Sequence, residues 1–479
     1  MKKMNLLVMS LVSAAALSFT SCSDSEDLAG NSQNKVDKFY MTLTVQTPTS
    51  NGTRTAQKNP YDASKEESYV TSGTFYLVEA NGKIAESITI DEKAWADAKI
   101  PQQGNDGKTT LQIPVKDVTA GTKYSVYFLA NATSKSPLTD VFTSNDKFAK
   151  AYSTANNFAM FNQNDADVKG DSHTVVFKSD NKDANSPAKV SSTINIERLT
   201  ARIDEPKSEA AAIKNYDDVE NAKPTPEQKE ANAKALNAVK SLKLTRYAIS
   251  NVANKTNVMQ QWTNATTLSI PTGIIYFQPT TEFGTKTLLQ NYNYFNDVTT
   301  DRSHKDYIFE NNSSDAATSM YFEYTVELNK EYQDKADIKD GTFYRYNKVI
   351  YSRIQDIIDA YKDVKAIFDG KDAQTVVDEL KAAQADPNSE AKLDEFRKKY
   401  DIEVFNAGKT YYVQKIQDQY LGVANTIQRN SIYLLNVKNI FNVGAQVPNG
   451  GPDDRPLYYL DVEVSVNPWV LNSYDVDLQ

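Results

Sequence analysis

Histidine and cysteine are scarce in this chain: two histidines, His173 and His304, and one cysteine, Cys22, stand among 479 residues. Hydrolytic triads lean on a histidine base and often a thiol nucleophile, and structural zinc sites on His and Cys ligands. Both lose their usual parts here. The acidic run Asn164, Asp165, Asp167 and Asp171 supplies the oxygen ligands that calcium takes, but Gly170 is out of register with an EF-hand loop and no Glu closes it. Neither a GxxxxGKS/T phosphate loop nor a GxGxxG following a strand occurs. Carboxylates abound, as in any acidic protein, and none is singled out as half of a glycosidase pair. No catalytic, cofactor-binding or metal-binding residue is assigned, and the chain is not expected to be an enzyme.

The reactive positions that remain are ones on which other proteins act. Residues 1–21 carry Lys2 and Lys3, an apolar run from Leu6 to Phe19, and the small polar pair Thr20 and Ser21, the layout of an export signal. Cys22 follows at the expected cleavage point, where a lipoprotein signal places its acylated residue; Phe19 stands where that motif usually has Leu. With one cysteine no disulfide forms, so the other reading of Cys22 is a free or buried thiol. A lipid there adds ~0.8 kcal/mol of membrane affinity per buried methylene, so the precursor is expected to be membrane-held through its lipid alone. Residues 22–35 continue as an acidic tether through Asp24, Glu26 and Asp27. Arg54 lies in PTSNGTRTAQKNP, whose Pro48, Gly52 and Pro60 mark an exposed loop. A trypsin-like protease would cut there between Arg54 and Thr55; from that segment alone a plain solvated arginine is the simpler reading.

The elements around these positions are strands. Tyrosine is abundant at 28, hydrophobic residues make up 40% and charged residues 24%, which describes a globular, mostly β chain of two or three domains. Fifty-three basic against 62 acidic residues, with no basic stripe, argue against nucleic acid as a partner. FYMTLTVQT gives a first alternating strand with Met41, Leu43 and Val45 inward, and GTKYSVYFLAN reads as a central strand buried on both faces. A helical patch is expected near residues 145–160. Glu205 to Ser241 turns rich in Ala, Lys and Glu, with Thr225, Pro226 and Gln228 at N-cap, N1 and N3 of a helix. This divides the chain into an amino-terminal domain over 36–205, a helical junction over 206–240 and a carboxyl-terminal domain over 241–479. Residues 344–400 read as a helical insertion, with Ile350, Ile354, Ile357, Tyr361, Val364 and Phe368 as one helical stripe ending at Gly370.

The chain ends on LYYLDVEVSVNPWVLNSYDVDLQ, residues 457–479. Leu460, Val462, Val464 and Val466 alternate with Asp461, Glu463 and Ser465, the period of a half-buried strand, and Pro468 forces a break or an edge position. Trp469, Leu471, Tyr474 and Val476 keep the tail apolar. Ordering a terminus costs backbone entropy, so such a tail needs a groove to bury it, in this molecule or in a neighbour.

Taken in order, the Cys22 signal, the early strand before Arg54, GTKYSVYFLAN, STINIERLTARI, RNSIYLLNVKNIFNVG and LDVEVSVNPWVLNSYDVDL resemble the fimbrillins, subunits of type V pili, and most nearly the major shaft subunits of short, or minor, fimbriae. The resemblance implies two β-sandwich domains of transthyretin-like, Greek-key type with helical insertions. It also implies an assembly route. The lipidated precursor reaches the outer membrane, an Arg-specific or trypsin-like protease cuts after Arg54, and the segment 36–54 leaves with Met41, Leu43 and Val45. The vacated groove then takes the donor strand of another copy, with Leu460, Val462, Val464, Val466, Trp469, Leu471, Tyr474 and Val476, giving a head-to-tail polymer at the cell surface with anchor and tip subunits as further partners. Burying four such apolar side chains is worth roughly 6–12 kcal/mol. The insertion at 344–400 and the charged junction have no counterpart in that pattern. Two other readings are a surface or tip adhesin that binds host protein or glycan without polymerising, and a lipoprotein enzyme acting on glycans.

Overall fold

The computed structural model describes residues 38–48, 61–62, 64–100, 107–164, 171–220, 222–277, 295–363, 367–416, 418, 421, 423–448 and 460–470. The export signal, Cys22, the acidic tether, Arg54, Thr55, Asp165, Asp167, Leu471, Tyr474 and Val476 lie outside these residues. The chain is mostly β, as its composition indicates.

In the amino-terminal part, ten strands form one sheet. Its order is Ile84–Ile90, Gly73–Val78, Lys123–Ala130, Met160–Asn162, Ile194–Arg198, Phe39–Gln46, Lys108–Val115 and Lys99–Ile100, with two short strands flanking this path. The first strand, Phe39–Gln46, is interior to the sheet. It pairs antiparallel with Lys108–Val115 along its whole length and parallel with Ala188–Lys189 and Ile194–Arg198. Strand alternation then sends Phe39, Met41, Leu43 and Val45 into the core, each no more than 4% exposed, while Tyr40, Thr42, Thr44 and Gln46 are half-buried. Lys123–Ala130 is the central strand expected from GTKYSVYFLAN, lying between the Gly73 and Met160 strands. The helical patch near 145–160 is reduced to one 3-10 turn at Lys150–Tyr152, followed by short strands.

STINIERLTARI does not run as one strand. Ile194–Arg198 stays in the first sheet, and after a break at Leu199 and Thr200 the chain crosses to Ala201–Asp204, which pairs with Lys305–Ile308 and Ser431–Ile440. The last residues of the expected 36–205 domain therefore belong to the second sheet system. Here one sheet runs Leu460–Val470, Ser431–Ile440, Ala201–Asp204, Lys305–Ile308, and the other Asn296–Asp297, Val239–Ser250, Ser319–Leu328, Lys409–Lys415. Ile203, Leu244, Tyr247, Phe322, Tyr324, Tyr433 and Leu435 from both sheets share one core.

The junction over 206–240 is helical only in its second half, Pro226–Ala238; Lys207–Ser208 is a short strand beside Ser431–Ile440. The helix begins as its sequence dictates. The Thr225 Oγ1 accepts from the Gln228 amide at 3.3 Å, and the Gln228 side chain accepts from the Thr225 amide at 2.5 Å.

The insertion is a mixed unit. Val349–Tyr351, Phe343–Tyr346 and Glu403–Phe405 form a three-stranded sheet on which Ile354–Ala360, Ala373–Ala385 and Ser389–Tyr400 pack through Ile354, Ile357, Val376, Leu380, Leu393 and Phe396. The expected single stripe is broken. Ile350 sits in a strand, the helix ends at Ala360, and Phe368 and Asp369 adopt φ of 52° and 56°, outside any right-handed helix. Val364 lies outside the described residues. The reciprocal cap at Thr225 gives the first expectation: Thr225→Ala lowers stability by about 1 kcal/mol in urea unfolding followed by far-ultraviolet circular dichroism, with the m-value unchanged.

Candidate assembly interface

Three elements define the candidate site: the lane of the first strand, the terminal strand, and the segment between the first strand and Gly73–Val78. The lane is lined by the strands that hydrogen-bond to Phe39–Gln46 on each side and by core rings beneath it. Phe39 meets Phe177 edge-on at 5.6 Å, and the Thr44 and Thr110 hydroxyls lie 2.7 Å apart across the pair with Lys108–Val115. Met41, Leu43 and Val45 point into the core shared with Phe75, Phe128, Ile113 and Ile196. A lane with backbone partners on both sides and an apolar floor has one complementary filler, a strand with apolar residues at every second position.

The terminal strand, Leu460–Val470, pairs antiparallel with Ser431–Ile440, with a register irregularity between Val437 and Asn439. Val462 and Val464 are half-buried against the second core, and Asp461 and Glu463 are exposed, as alternation requires. Leu460, Val466 and Trp469 are placed in the strand by backbone register alone. The strand runs on through Pro468 to Val470 without a break, and Pro468 falls opposite Ser431, where the pairing with Ser431–Ile440 ends. Polar pairs line this edge. Lys438 lies 3.1 Å from Glu463 and 2.8 Å from Glu209, and Asn439 donates to Asp461 at 3.0 Å. On its far side, the terminal strand has one partner among the described residues, the two-residue strand Tyr61–Asp62, parallel to Trp469 and Val470.

The segment after Tyr61–Asp62 leads into a buried ionic cluster that the sequence analysis did not single out. Glu67 is 2% exposed, and Arg198 and Arg202 are buried beside it. Arg202 Nη1 donates to both Glu67 carboxylate oxygens, at 3.0 and 2.9 Å, while its Nε and Nη2 grip Asp204 at 2.6 and 2.9 Å. The Tyr307 hydroxyl donates to Glu67 at 2.7 Å, and Lys305 approaches at 3.4 Å. Arg198 completes the cluster by donating to the Glu67 carbonyl at 2.7 Å, to the Ser68 hydroxyl at 2.7 Å and to Asn430 Oδ1 at 3.0 Å. Burial pushes the Glu67 carboxyl up, but the Arg202 charge, the Tyr307 hydroxyl and Lys305 outweigh it and hold it down at about 2.

A second buried pair lies nearby. Arg429 donates to Glu310 at 2.7 Å, to the Val258 and Asn257 carbonyls at 3.0 and 2.7 Å, and to the Thr256 hydroxyl at 3.0 Å. Lys255–Asn257 in turn pairs with Val141–Thr143. A signal for one of these residues was present in the sequence. Arg198 has the same strand parity as the core residues Ile194 and Ile196, so a guanidinium falls on the dry face and must find partners there.

The terminal strand and the insertion's last strand fall within one recognisable segment. Residues 403–475 match the family described as Major fimbrial subunit protein type IV, Fimbrillin, C-terminal. The carboxyl-terminal segment is fimbrillin-like. No curated protein matches the chain significantly. Among solved structures, two proteins of Parabacteroides distasonis ATCC 8503, provisionally named cell adhesion proteins, superpose with TM-scores of 0.47 and 0.45 at 13% identity. They cover 91% and 90% of this chain and 98% and 99% of their own. A fimbrial assembly protein from the same organism covers 61% of this chain and 83% of its own at TM-score 0.30 and 13% identity. Overlap of that degree decides nothing about fold or role. Among the described residues no group of three or more His, Cys, Asp or Glu is placed to hold a metal ion.

The Glu67 cluster yields a pH prediction. A carboxyl held below its ordinary pKa of about 4.3 contributes stability that is complete above that value and is lost as pH falls through its folded pKa of about 2. Glu67→Gln is therefore expected to cost about 3 kcal/mol near neutral pH, by leaving Arg202 half-compensated in a dry site. The gap between wild type and variant, measured by denaturant unfolding at a series of pH values, should narrow steadily between about pH 4 and pH 2.

Proposed function

We propose that this chain is a structural subunit of a cell-surface fimbria, of the type V pilus kind and shaft-forming, with two transthyretin-like β-sandwich domains. Its precursor is exported, lipidated at Cys22 and held at the outer membrane, then cut between Arg54 and Thr55 by an Arg-specific or trypsin-like protease. The first strand leaves its lane, and the terminal strand of another copy enters, building a head-to-tail polymer with anchor and tip subunits at its ends. The observation that carries this reading is the fimbrillin C-terminal match over 403–475, which contains a strand fully paired on one side only, in a chain whose first strand is paired on both sides and buries its apolar face. The polymer contact joins two different surfaces and so does not close on itself, as a filament requires.

The test is limited trypsin digestion of purified precursor, with the new amino terminus sequenced and the product run on an unboiled gel. The expected result is a chain beginning at Thr55 and a ladder of multimers. Arg54→Ala should give neither, and truncation from Leu457 should give the cut without the ladder. A chain cut after Arg54 that stays strictly monomeric would exclude strand exchange, and the adhesin reading would take its place.

A further inference from the structure

The path between the first strand and Gly73–Val78 makes a detour that sheet formation does not require. From Gln46 the chain leaves the first sheet, reaches Tyr61–Asp62 beside the terminal strand, turns at Lys65–Glu67 and returns to the first sheet at Gly73. Both ends of this detour are fixed. Upstream, Gln46 belongs to a strand paired on both edges, and the Thr47 amide donates to the Gly107 carbonyl at 3.1 Å. Downstream, Glu67 and Ser68 are held by Arg202 and Arg198. Arg198 also reaches Asn430, the residue just before the strand on which the terminal strand lies. The pairing of Tyr61–Asp62 with Trp469–Val470 falls at that same corner, one step beyond the pair Ser431–Pro468.

We infer that Tyr61–Asp62 is a latch on the terminal strand, and that the cut which frees the first strand also loosens the latch. Its consequence for assembly rests on the strand-exchange reading above. Two residues of parallel pairing form a weak contact. It persists because fourteen intervening residues tether it to Gln46 on one side and five-residue spacing ties Asp62 to Glu67 on the other, so that little further entropy is lost on closing it. Cleavage anywhere between Gln46 and Tyr61 turns this closed segment into a free end, and short pairings at free ends fray. The terminal strand then loses its second-edge partner at Trp469 and Val470 and keeps only the Ser431–Ile440 edge. One proteolytic event thus prepares both halves of the joint: the lane that accepts a strand and the strand that is given. Before the cut, the same latch keeps the terminal strand on its own molecule, where it cannot pair with the edges of other precursors.

Hydrogen–deuterium exchange of the full precursor, analysed by peptide, tests this. Four samples are compared at low protein concentration: uncut wild type, wild type just after tryptic cutting, the uncut double variant Tyr61→Pro with Asp62→Pro, which removes both amide donors from the latch, and the double variant Arg54→Ala with Lys58→Ala, which lacks both tryptic sites of the stretch, treated with trypsin. Peptides spanning 467–470 should exchange severalfold faster in the cut chain and in the double proline variant than in the other two. Peptides from 73–78 and 431–437 should be unchanged in all four, which also shows that the double proline variant is folded. Equal protection at 467–470 in all four samples overturns the latch. Polymerisation is scored separately. A cut chain that loosens at 467–470 yet stays monomeric keeps the latch and sinks strand exchange, whereas multimers formed with no loosening in the monomer fraction sink the latch alone.

Discussion

The structure depends on the pairing of Glu67 with Arg202 and on the Arg198 guanidinium beside it. Taking a carboxylate and two guanidinium groups out of water costs several kcal/mol per ion, and attraction offsets that cost only when nearly every donor and acceptor is occupied. Here the occupancy is high. Arg202 divides its fork between Glu67 and Asp204, Arg198 reaches a carbonyl, a hydroxyl and an amide oxygen, and Tyr307 supplies a further donor to Glu67. The partners come from four stretches of chain: the detour at 64–68, the two strands on either side of the Leu199–Thr200 crossover, Lys305–Ile308, and the approach to Ser431–Ile440. A cluster with this many contributors fixes where the first sheet system meets the second. It also means that residues from Ser64 onward stay in place whatever happens to the chain before Tyr61.

Much of the strand pattern around this cluster was legible in the sequence, for reasons that differ by element. Period-two alternation in FYMTLTVQT and LDVEVSV reports which face is dry, and the burial of Met41, Leu43 and Val45 and the half-burial of Val462 and Val464 follow it directly. The Thr225–Gln228 box is local chemistry and needs no tertiary knowledge. Legibility ended where local pattern and long-range pairing disagree. STINIERLTARI has continuous strand character, yet its halves pair in different sheets, and nothing within twelve residues distinguishes a strand from a crossover between two. The stripe from Ile350 to Phe368 satisfied helical spacing although it serves two cores: a short helix and a turn place Ile354, Ile357 and Phe368 in the small core of the insertion, while the hairpin strand sends Ile350 into the larger core between the two sheets. Spacing counts buried apolar residues without reporting the path between them.

The buried arginines illustrate the same limit from the other side. Arg198 sits on the dry face by parity, but parity alone does not say whether such a residue is paired, exposed at an edge or placed for catalysis. The return of residues 64–68 to the domain junction supplies the Glu67 carbonyl and the Ser68 hydroxyl, and Asn430 comes from farther still, so none of these partners is visible in the local pattern. Motifs quoted for their likeness to fimbrillins, STINIERLTARI and RNSIYLLNVKNIFNVG, carry Arg198, Arg202 and Arg429, the guanidinium groups around which the junction is built. In those segments the three guanidinium groups hold strands and loops of the junction together through their hydrogen bonds.

A direction for the proposed exchange follows from comparing the two strands as occupants of their lanes. The first strand lies between partners on both edges and buries four apolar side chains almost completely. The terminal strand has one full edge, a two-residue contact on the other, and valines only half-buried at 462 and 464. A strand moved from the second kind of lane to the first gains a second row of backbone hydrogen bonds and completes the burial of its apolar face, where each fully buried side chain is worth roughly 1.5–3 kcal/mol. The resident first strand enjoys the same gains, so while it is covalently joined to the rest of the chain, its high local concentration excludes any competitor. Cutting the chain removes that advantage without altering a single contact in the lane. On this account proteolysis supplies no binding energy; it makes the resident strand a separate molecule, which a donor fixed in a growing filament can then outcompete.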